Sequence, residues 1–566
     1  MDYPTYDAFH QALVEYLNKE KDLYEADIEA RKSLSDEEKE ERGYIIRNAV
    51  ISPDRDVVFP IVKFDVSVNN TKFRPGDKVI ITSSRYSKPY EGQVIENNFE
   101  SVYISCPAPL PSDVPYTISV NETVLIEIII ELMMQIGEGF PGAYFIKEVA
   151  GLEEPELIGY GAFSEDKIVR RGLPLNEGQD AACQTVIKRP SLYCIQGPPG
   201  TGKTDVLSTL AETFSMQNKD VLIISNTHQA VNNALNKIIS KNCLLPVTKI
   251  GEELKAMEID EHIMLARTFR DYIGNRKKAK RNKTGGDIVG MTFYGAAINL
   301  GLRRGSFRPA LILVDEAGQM PFVEGATIGA FGSGSIIFIG DDKQMPPIFH
   351  ESLANHPFSK SIFSYICDKY PSLKARLQVT YRMNDEITEV VSKNYYEPYG
   401  EKLIASDFSK DRRLVLDSQS HDKRITDILS STDSLHRLNV SSRTDYEDEN
   451  IEEALFISDL IHEALLAGMN IKDIAVITPF RRQARAVREC VKNKDGDNTP
   501  LIDTVERLQG QDVDLIIISF CVSSESYFKS LHDFLLDKNR LNVMISRAKK
   551  KVVVLASDVF GNELPF

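Results

Sequence analysis

The alternation of hydrophobic and polar positions divides the amino-terminal third of the chain into three zones. Apolar residues recur at helical spacing over residues 5–42 and predict one long stalk helix, which we assign to residues 1–43. Short alternating segments separated by turn residues follow at 44–120 and predict a small β-barrel. Residues 121–170 return to a helical pattern and end in a polar stretch rich in Gly, Pro and Glu, which is typical of a linker.

Beyond this linker the pattern alternates between strands and helices. The apolar runs are nearly continuous, as expected for parallel strands buried on both faces, and they predict an α/β fold with two tandem parallel-sheet domains. We assign these domains to residues 171–355, with an insertion at about 245–286, and to residues 356–566. The predicted strands are 191–196, 221–225, 287–292, 310–314 and 335–340 in the first domain, and 474–478, 513–520 and 552–556 in the second.

A glycine-rich loop lies between the first predicted strand and a predicted helix at 205–216. Its sequence, residues 197–204, matches G-x-x-x-x-G-K-[ST] and predicts a site for a nucleoside triphosphate. Glycines let backbone N–H groups surround phosphate oxygens, and the helix that follows points its positive end at them. Lys203 adds a charge for the β- and γ-phosphates, and the Thr204 hydroxyl can bind Mg²⁺. The candidate nucleotide-binding residues here are Gly197, Pro198, Pro199, Gly200, Thr201, Gly202, Lys203, Thr204 and Asp205.

Two later strands of the first domain end in polar residues suited to ATP hydrolysis. Asp315 follows the strand at 310–314 and can hold Mg²⁺, while Glu316 can orient or deprotonate the attacking water. Gln344 follows the strand at 335–340 and can sense whether a γ-phosphate is present. Parallel strands end at one edge of their sheet, so these side chains are expected to converge on the glycine-rich loop.

Hydrolysis also leaves charge on the transferred phosphoryl group that one lysine does not neutralise. An inserted arginine contributes about 10³–10⁵ in rate in such enzymes. Arg382 and Arg547 are the candidates in the second domain. The predicted catalytic residues are therefore Lys203, Glu316, Gln344, Arg382 and Arg547, placed on both sides of an interdomain cleft.

Composition describes an ordinary globular protein, with 566 residues of which 42% are hydrophobic and 26% charged. The most apolar run, residues 124–136, contains two glutamates and is too short to span a bilayer, so we expect no membrane partner. Seven cysteines without C-x-x-C pairs argue against a zinc site or an iron–sulfur cluster and fit an intracellular protein, cytoplasmic or, in a eukaryote, nuclear. The net charge of −15 argues weakly against nucleic acid. A basic run at 276–283 is equally consistent with a solvated loop and with a phosphate contact.

The order of these motifs, from about residue 171 to 556, resembles the superfamily 1B helicases, in particular the group of the up-frameshift RNA helicase and the immunoglobulin mu-binding helicase. The resemblance implies RecA-like domains, with Gln179 reading the adenine, Tyr381 packing on the base and Arg547 serving as the arginine finger. It also implies 5′-to-3′ movement on a single strand. The implied nucleic-acid contacts are Asn226, Thr227, Thr292, Thr478, Pro479 and Thr504.

Three functions follow from these motifs. The leading hypothesis is an ATP-dependent helicase or translocase on single-stranded DNA or RNA, with a protein partner possible for loading or regulation. The alternative is an ATP-controlled clamp that remodels nucleic-acid or protein complexes without separating strands. A triphosphatase for free nucleotides explains the glycine-rich loop but leaves the motifs of the second domain unused.

Overall fold

The computed structural model describes residues 3–565 apart from several short segments and the side chains of 277–279. Most of the basic run 276–283 and residues 507–510, shortly after Thr504, therefore lie outside the described residues. The segments left out are 54–58, 68, 72, 74–76, 87, 99, 122–124, 141, 159–166, 172–173, 253–255, 257–258, 280–282, 300–306, 333, 419, 441–446, 497 and 507–510.

The stalk is two helices rather than the one predicted over residues 5–42. Helix α1 (Tyr6–Lys32) ends before α2 (Asp36–Glu41) begins, because the Ser35 side chain accepts from the Glu38 N–H and the Glu38 side chain accepts from the Ser35 N–H. This capping box starts a new helix instead of continuing the old one. Helix α1 packs its apolar face on the first parallel-sheet unit through Tyr6, Phe9, Leu13, Tyr16 and Leu17.

The predicted small β-barrel is confirmed. Its six antiparallel strands close in the order β1-β2-β5-β4-β3-β6 around an apolar interior that includes Phe64 and Tyr116. The strands are β1 (Ile45–Ile51), β2 (Ile61–Asp65), β3 (Lys78–Thr82), β4 (Tyr90–Asn97), β5 (Ser101–Ser105) and β6 (Tyr116–Val120).

Two helices lead from the barrel to the first sheet. Helix α3 (Ile126–Gln135) packs along α1, and α4 (Ala143–Ala150) contributes to the same apolar core. In the described part of the chain, no helix combines the length and apolar character needed to cross a bilayer.

The first parallel-sheet unit contains eight strands in the order β10-β9-β11-β8-β12-β13-β7-β14. The stretch 245–286, predicted as an insertion, contains β9 and β10, which join this sheet. Strand β14 pairs with β7, so the sheet continues beyond the predicted boundary at 355. The elements are α5 (Glu177–Ile187), β7 (Leu192–Gln196), α6 (Lys203–Met216), β8 (Val221–Ser225), α7 (His228–Lys241), β9 (Val247–Ile250), β10 (Met264–Ala266), α8 (Phe269–Ala279), β11 (Ile288–Thr292), α9 (Phe293–Asn299), β12 (Leu311–Val314), α10 (Phe322–Ala326), β13 (Ser335–Gly340), α11 (Ile362–Lys369) and β14 (Lys374–Arg376).

The second unit has a two-stranded sheet and a five-stranded parallel sheet in the order β17-β21-β20-β18-β19. The α/β class with tandem parallel sheets is thus confirmed, while β17 and β19 escaped prediction because one is half polar and the other has three residues. The elements are β15 (Val379–Thr380), α12 (Asp385–Val391), β16 (Ile404–Ala405), α13 (Lys423–Ser430), β17 (Leu435–Asn439), α14 (Ile451–Leu466), β18 (Ile474–Ile477), α15 (Arg481–Asp495), β19 (Leu501–Asp503), β20 (Val513–Ser519), α16 (Glu525–Ser530), α17 (His532–Leu535), α18 (Lys538–Ile545) and β21 (Ala548–Ala556).

The described ends of the basic run are engaged within the protein. Arg276 forms ion pairs with Asp220 at 2.9 Å and Asp287 at 2.5 Å, and the Lys283 ammonium donates to the Cys243 carbonyl. These contacts favour a structural role for both ends of the run.

Candidate active site between the two parallel sheets

The glycine-rich loop connects the buried strand β7 to the amino terminus of α6. Gly200 and Gly202 have φ values of +72° and +79°, in the left-handed region that glycine tolerates best. A Cβ added at Gly200 would lie 2.5 Å from the Arg382 Cβ, so the second unit lies directly against this loop. The Lys203 ammonium donates to the Gly197 carbonyl at 2.6 Å and so spans the loop that phosphates would enter.

Helix α5 supports the loop from behind. The Asn176 side chain caps this helix in a capping box with Gln179, and the Gln179 amide donates to the Thr201 carbonyl at 2.9 Å. The Asn176 amide also donates to the Tyr381 hydroxyl at 2.9 Å. The predicted adenine reader Gln179 is therefore buried and engaged at both ends of its amide, next to the predicted base-packing Tyr381.

Two carboxylates follow β12 at the same edge of the sheet. Glu316 has φ +53°, an uncommon conformation for a residue other than glycine, and its N–H donates to Asp315 at 3.0 Å. Burial raises the pKa of Asp315 to about 7, with Glu316 adding to the shift and Lys203 opposing it. The oxygen donors fit a hard cation, because the buried Asp315 carboxylate still has a raised pKa with Lys203 nearby, and Thr204 lies in the first turn of α6.

The loop after β13 holds the predicted sensor. The Gln344 amide donates to the Asp341 carboxylate at 2.8 Å, and Arg547 of the second unit donates to the Gln344 amide oxygen at 3.4 Å. A Cβ added at Gly318 would lie 2.4 Å from the Asp341 carbonyl oxygen. The sensor loop is therefore in close backbone contact with the loop that follows Glu316.

The two predicted arginines lie together in the cleft. Arg382 donates to the Ser546 carbonyl at 3.0 Å, and burial lowers its pKa. Burial, followed by the nearby Arg382, lowers the pKa of Arg547 to about 9, while Glu316 and Asp512 oppose the shift. Both arginines thus interact electrostatically with Glu316 across the cleft. A bound polyphosphate would balance their positive charge.

Several side chains at this cleft were missed in the sequence. Thr380 donates from its hydroxyl to the Pro199 carbonyl at 2.8 Å, and the buried Glu401 pairs with Lys374 at 2.9 Å and accepts from the Gln196 amide at 2.8 Å. Thr380 and the buried Asn542 lie in the motif segments that contain Arg382 and Arg547, but the motifs gave these two residues no role. Glu401 and the buried Tyr396 are single polar residues outside any motif, so no local pattern indicated them.

The predicted nucleic-acid contacts lie at strand ends but differ in exposure. Thr227 follows β8, is exposed and caps α7, whereas Thr292 at the end of β11 is buried. In the second sheet Thr478 follows β18 and is 0% exposed, whereas Thr504 after β19 is half-buried. The remaining two candidates, Asn226 and Pro479, are half-buried.

No other metal site emerges from the part of the chain that the structure describes. Within it, no group of three or more His, Cys, Asp and Glu side chains is arranged to hold an ion. The cysteines are unpaired, and all but Cys243 and Cys490 are buried.

Fold and site together define a P-loop protein with paired parallel-sheet units. Two models described as the AAA domain match the chain, over residues 174–357 and 358–559. The two segments follow the first and second parallel-sheet units, except that α11 and β14 of the first unit fall within the second segment.

The curated relatives are helicases. The DNA replication ATP-dependent helicase/nuclease JHS1 of Arabidopsis thaliana is 28% identical over 74% of this chain and 31% of its own length. The helicase/nuclease DNA2 of Xenopus laevis is 25% identical over 92% of this chain and 52% of its own length. The DNA polymerase alpha-associated DNA helicase A of Schizosaccharomyces pombe is 25% identical over 67% of this chain and 63% of its own length.

The chain therefore spans less than two thirds of the length of each of these relatives. The similarity supports the predicted class, an ATP-hydrolysing helicase of superfamily 1. It does not single out the up-frameshift and immunoglobulin mu-binding group.

Proposed function

We propose that this chain is an ATP-dependent translocase that moves on single-stranded nucleic acid and separates strands. The observation that carries the proposal is the shared cleft. Lys203 and Glu316 come from the first unit, and Arg382 and Arg547 reach the same space from the second. A nucleotide held by both units couples its hydrolysis to their relative movement.

The proposed chemistry assigns each side chain one task. Lys203 binds the β- and γ-phosphates, Glu316 orients the attacking water, and Gln344 contacts the γ-phosphate or that water. Arg382 and Arg547 stabilise the charge that develops on the transferred group. Thr204 and Asp315 would hold Mg²⁺, which supplies positive charge between the phosphates.

The proposed cycle alternates between a closed state with ATP and an open state after hydrolysis. With the γ-phosphate bound, the two arginines have an anionic partner for their buried charges. After its release those charges repel each other in a desolvated cleft, which favours opening. Each cycle would move one unit relative to the other along the bound strand.

We propose single-stranded DNA as the first substrate to test, because the curated relatives are named as DNA helicases. Backbone contacts at strand ends, such as those of Thr227 and Thr504, would bind any sequence. The 5′-to-3′ direction, a loading partner and an intracellular location remain part of the proposal.

The test is ATP hydrolysis by the full chain with and without matched single-stranded DNA and RNA, at several salt concentrations. We expect stimulation by a single strand that weakens as salt rises, because phosphate contacts release counterions. Stimulation should disappear in Glu316→Gln. Equal turnover with and without any strand would contradict the proposal and favour a triphosphatase for free nucleotides.

A clamp that does not separate strands is the second candidate. The burial of Thr292 and Thr478 favours it, because two of the predicted phosphate contacts are not accessible in this conformation. Strand displacement on a duplex with a 5′ overhang separates the two candidates. ATP-dependent binding without displacement would identify the clamp.

A further inference from the structure

Two side chains of the second unit reach into the sensor loop of the first. The Tyr396 hydroxyl donates to the Asp341 carboxylate at 2.7 Å. The Asn542 amide donates to the Tyr396 hydroxyl at 3.0 Å and to the Lys343 carbonyl at 2.7 Å. Both residues are fully buried, so these bonds form where water does not compete.

The same carboxylate binds the sensor itself. Asp341 accepts from the Tyr396 hydroxyl and from the Gln344 amide on one oxygen, and Gln344 in turn accepts from Arg547. The Lys343 ammonium lies 3.7 Å from the ring centroid of Tyr399, a third contact from the second unit to this loop. The sensor loop therefore contacts the first unit through backbone packing at Gly318 and the second unit through the side chains of Tyr396, Asn542 and Tyr399.

Resting on the proposed function, we propose that Tyr396 and Asn542 are positioning residues that set Gln344 against Arg547 when the cleft closes. Their hydrogen bonds go to Asp341 and to the Lys343 carbonyl, so they act on the sensor through this loop. Their task is to transmit movement of the second unit to the sensor, so that Gln344 meets the γ-phosphate only in the closed state. Such a link makes hydrolysis depend on the position of the second unit.

A matched control lies next to Tyr396 in the same π-helical turn, Ser392–Tyr396. Tyr395 is also buried, but its hydroxyl has no hydrogen-bond partner among the described residues. Tyr396→Phe and Tyr395→Phe therefore remove the same atom from adjacent buried sites. Only the first removes a bond to the sensor loop.

The first test is steady-state ATP hydrolysis by the full chain. We expect Tyr396→Phe to lower kcat about tenfold with little change in KM for ATP. The lost hydrogen bond is to the Asp341 carboxylate, which positions Gln344 for hydrolysis rather than for ATP binding. Tyr395→Phe should match the wild type. In a Gln344→Ala background the further loss from Tyr396→Phe should be less than about twofold, since both changes interrupt one path. Equal losses in both backgrounds, or equal behaviour of the two tyrosine variants, would overturn the proposal.

The second test reads the loop without hydrolysis or nucleic acid. The chain has no tryptophan, so Tyr399→Trp introduces a single tryptophan beside Lys343, whose emission can be excited selectively. We expect a non-hydrolysable ATP analogue and ADP to give different emission, and expect Tyr396→Phe but not Tyr395→Phe to abolish the difference. A difference that persists in Tyr396→Phe, or no difference in the parent, would overturn the link. This fluorescence measurement needs no nucleic acid. A lack of stimulation of ATP hydrolysis by DNA or RNA would therefore reject the proposed function without affecting this test.

Discussion

The two parallel-sheet units share one architecture but present opposite edges to the cleft. The first unit presents the carboxyl ends of β7, β12 and β13, where the glycine-rich loop, Glu316 and Gln344 lie. The second presents the amino end of β21, immediately preceded by Arg547 and the carboxyl end of α18. Helix amino termini attract phosphate and helix carboxyl termini repel it. The second unit therefore has to supply positive charge from side chains.

Arg382 shows how the second unit does this. Its guanidinium donates to the carbonyl of Ser546, the C-cap residue of α18, and so occupies an acceptor that the helix leaves without a partner. Arg547 follows in the next position. In the proposed site, the first unit would bind phosphates at a helix amino terminus, whereas the second would do so through two desolvated arginines.

The strongest test of this difference between the two units is to remove an arginine of the second. We expect Arg547→Ala to lower ATP hydrolysis by about 10³-fold or more while ATP still binds, because the first unit holds the phosphates. Lys538→Ala, at the exposed start of α18, the helix that precedes Arg547, is the matched control and should leave turnover unchanged. Turnover is measured by phosphate release and binding by a fluorescent ATP analogue. Normal turnover in Arg547→Ala would show that the second unit does not contribute to ATP hydrolysis through this arginine.

The reciprocal change removes the cation of the first unit. We expect Lys203→Ala to lower hydrolysis by about 10²–10³-fold and, unlike Arg547→Ala, to weaken ATP binding as well. Lys188→Ala, at the exposed end of α5, is the control for loss of a lysine from this unit. If both variants affected binding equally, the proposed division of tasks between the units would be wrong.

The contrast also explains what the sequence could predict. Residues of the first unit follow apolar strands in a motif, so the strands that precede Lys203, Asp315 and Gln344 could be located from local pattern alone. The contacts made by the second unit join residues far apart in the chain: Asn542 lies 146 residues from Tyr396. A three-dimensional contact of this kind leaves no spacing to detect, and the short edge strand β14 was missed for the same reason.

A smaller effect tests the edges proposed to bind nucleic acid. Thr227 is exposed, and its hydroxyl accepts from the Ala230 N–H at the start of α7. We expect Thr227→Val to weaken single-strand binding about fivefold, the loss of one hydrogen bond. Thr227→Ser keeps both the cap and the hydroxyl and should bind normally. Thr478→Val should have less effect, because that side chain is buried. The affinities are measured by fluorescence anisotropy at fixed salt, and the reverse ranking would show that the second edge opens to the strand.

The smallest effect on turnover is expected for a buried carboxyl of the second unit. Glu453 on α14 is 0% exposed and accepts from the Ser519 hydroxyl at 2.6 Å and the Cys521 N–H at 3.1 Å. Burial raises the pKa of Glu453 to about 8, and the two hydrogen bonds offset only part of this rise. Asp315 in the first unit is also buried with a raised pKa, but it has Lys203 nearby and lies on the nucleotide site.

The folded protein therefore holds a proton on Glu453 that the unfolded chain releases near pH 4.5. The stability due to this proton is fully present below pH 4.5 and is lost as pH rises through about 8. Relative to Glu453→Gln, we expect the free energy of unfolding of the wild type to fall by about 1 kcal/mol per pH unit across this window. Urea denaturation from pH 5 to 8 measures it, with the exposed Glu452→Gln as control. Unchanged ATP turnover in Glu453→Gln at pH 7 would assign this carboxyl to the fold alone, whereas a loss of turnover would show that both units carry ionisable groups that serve hydrolysis.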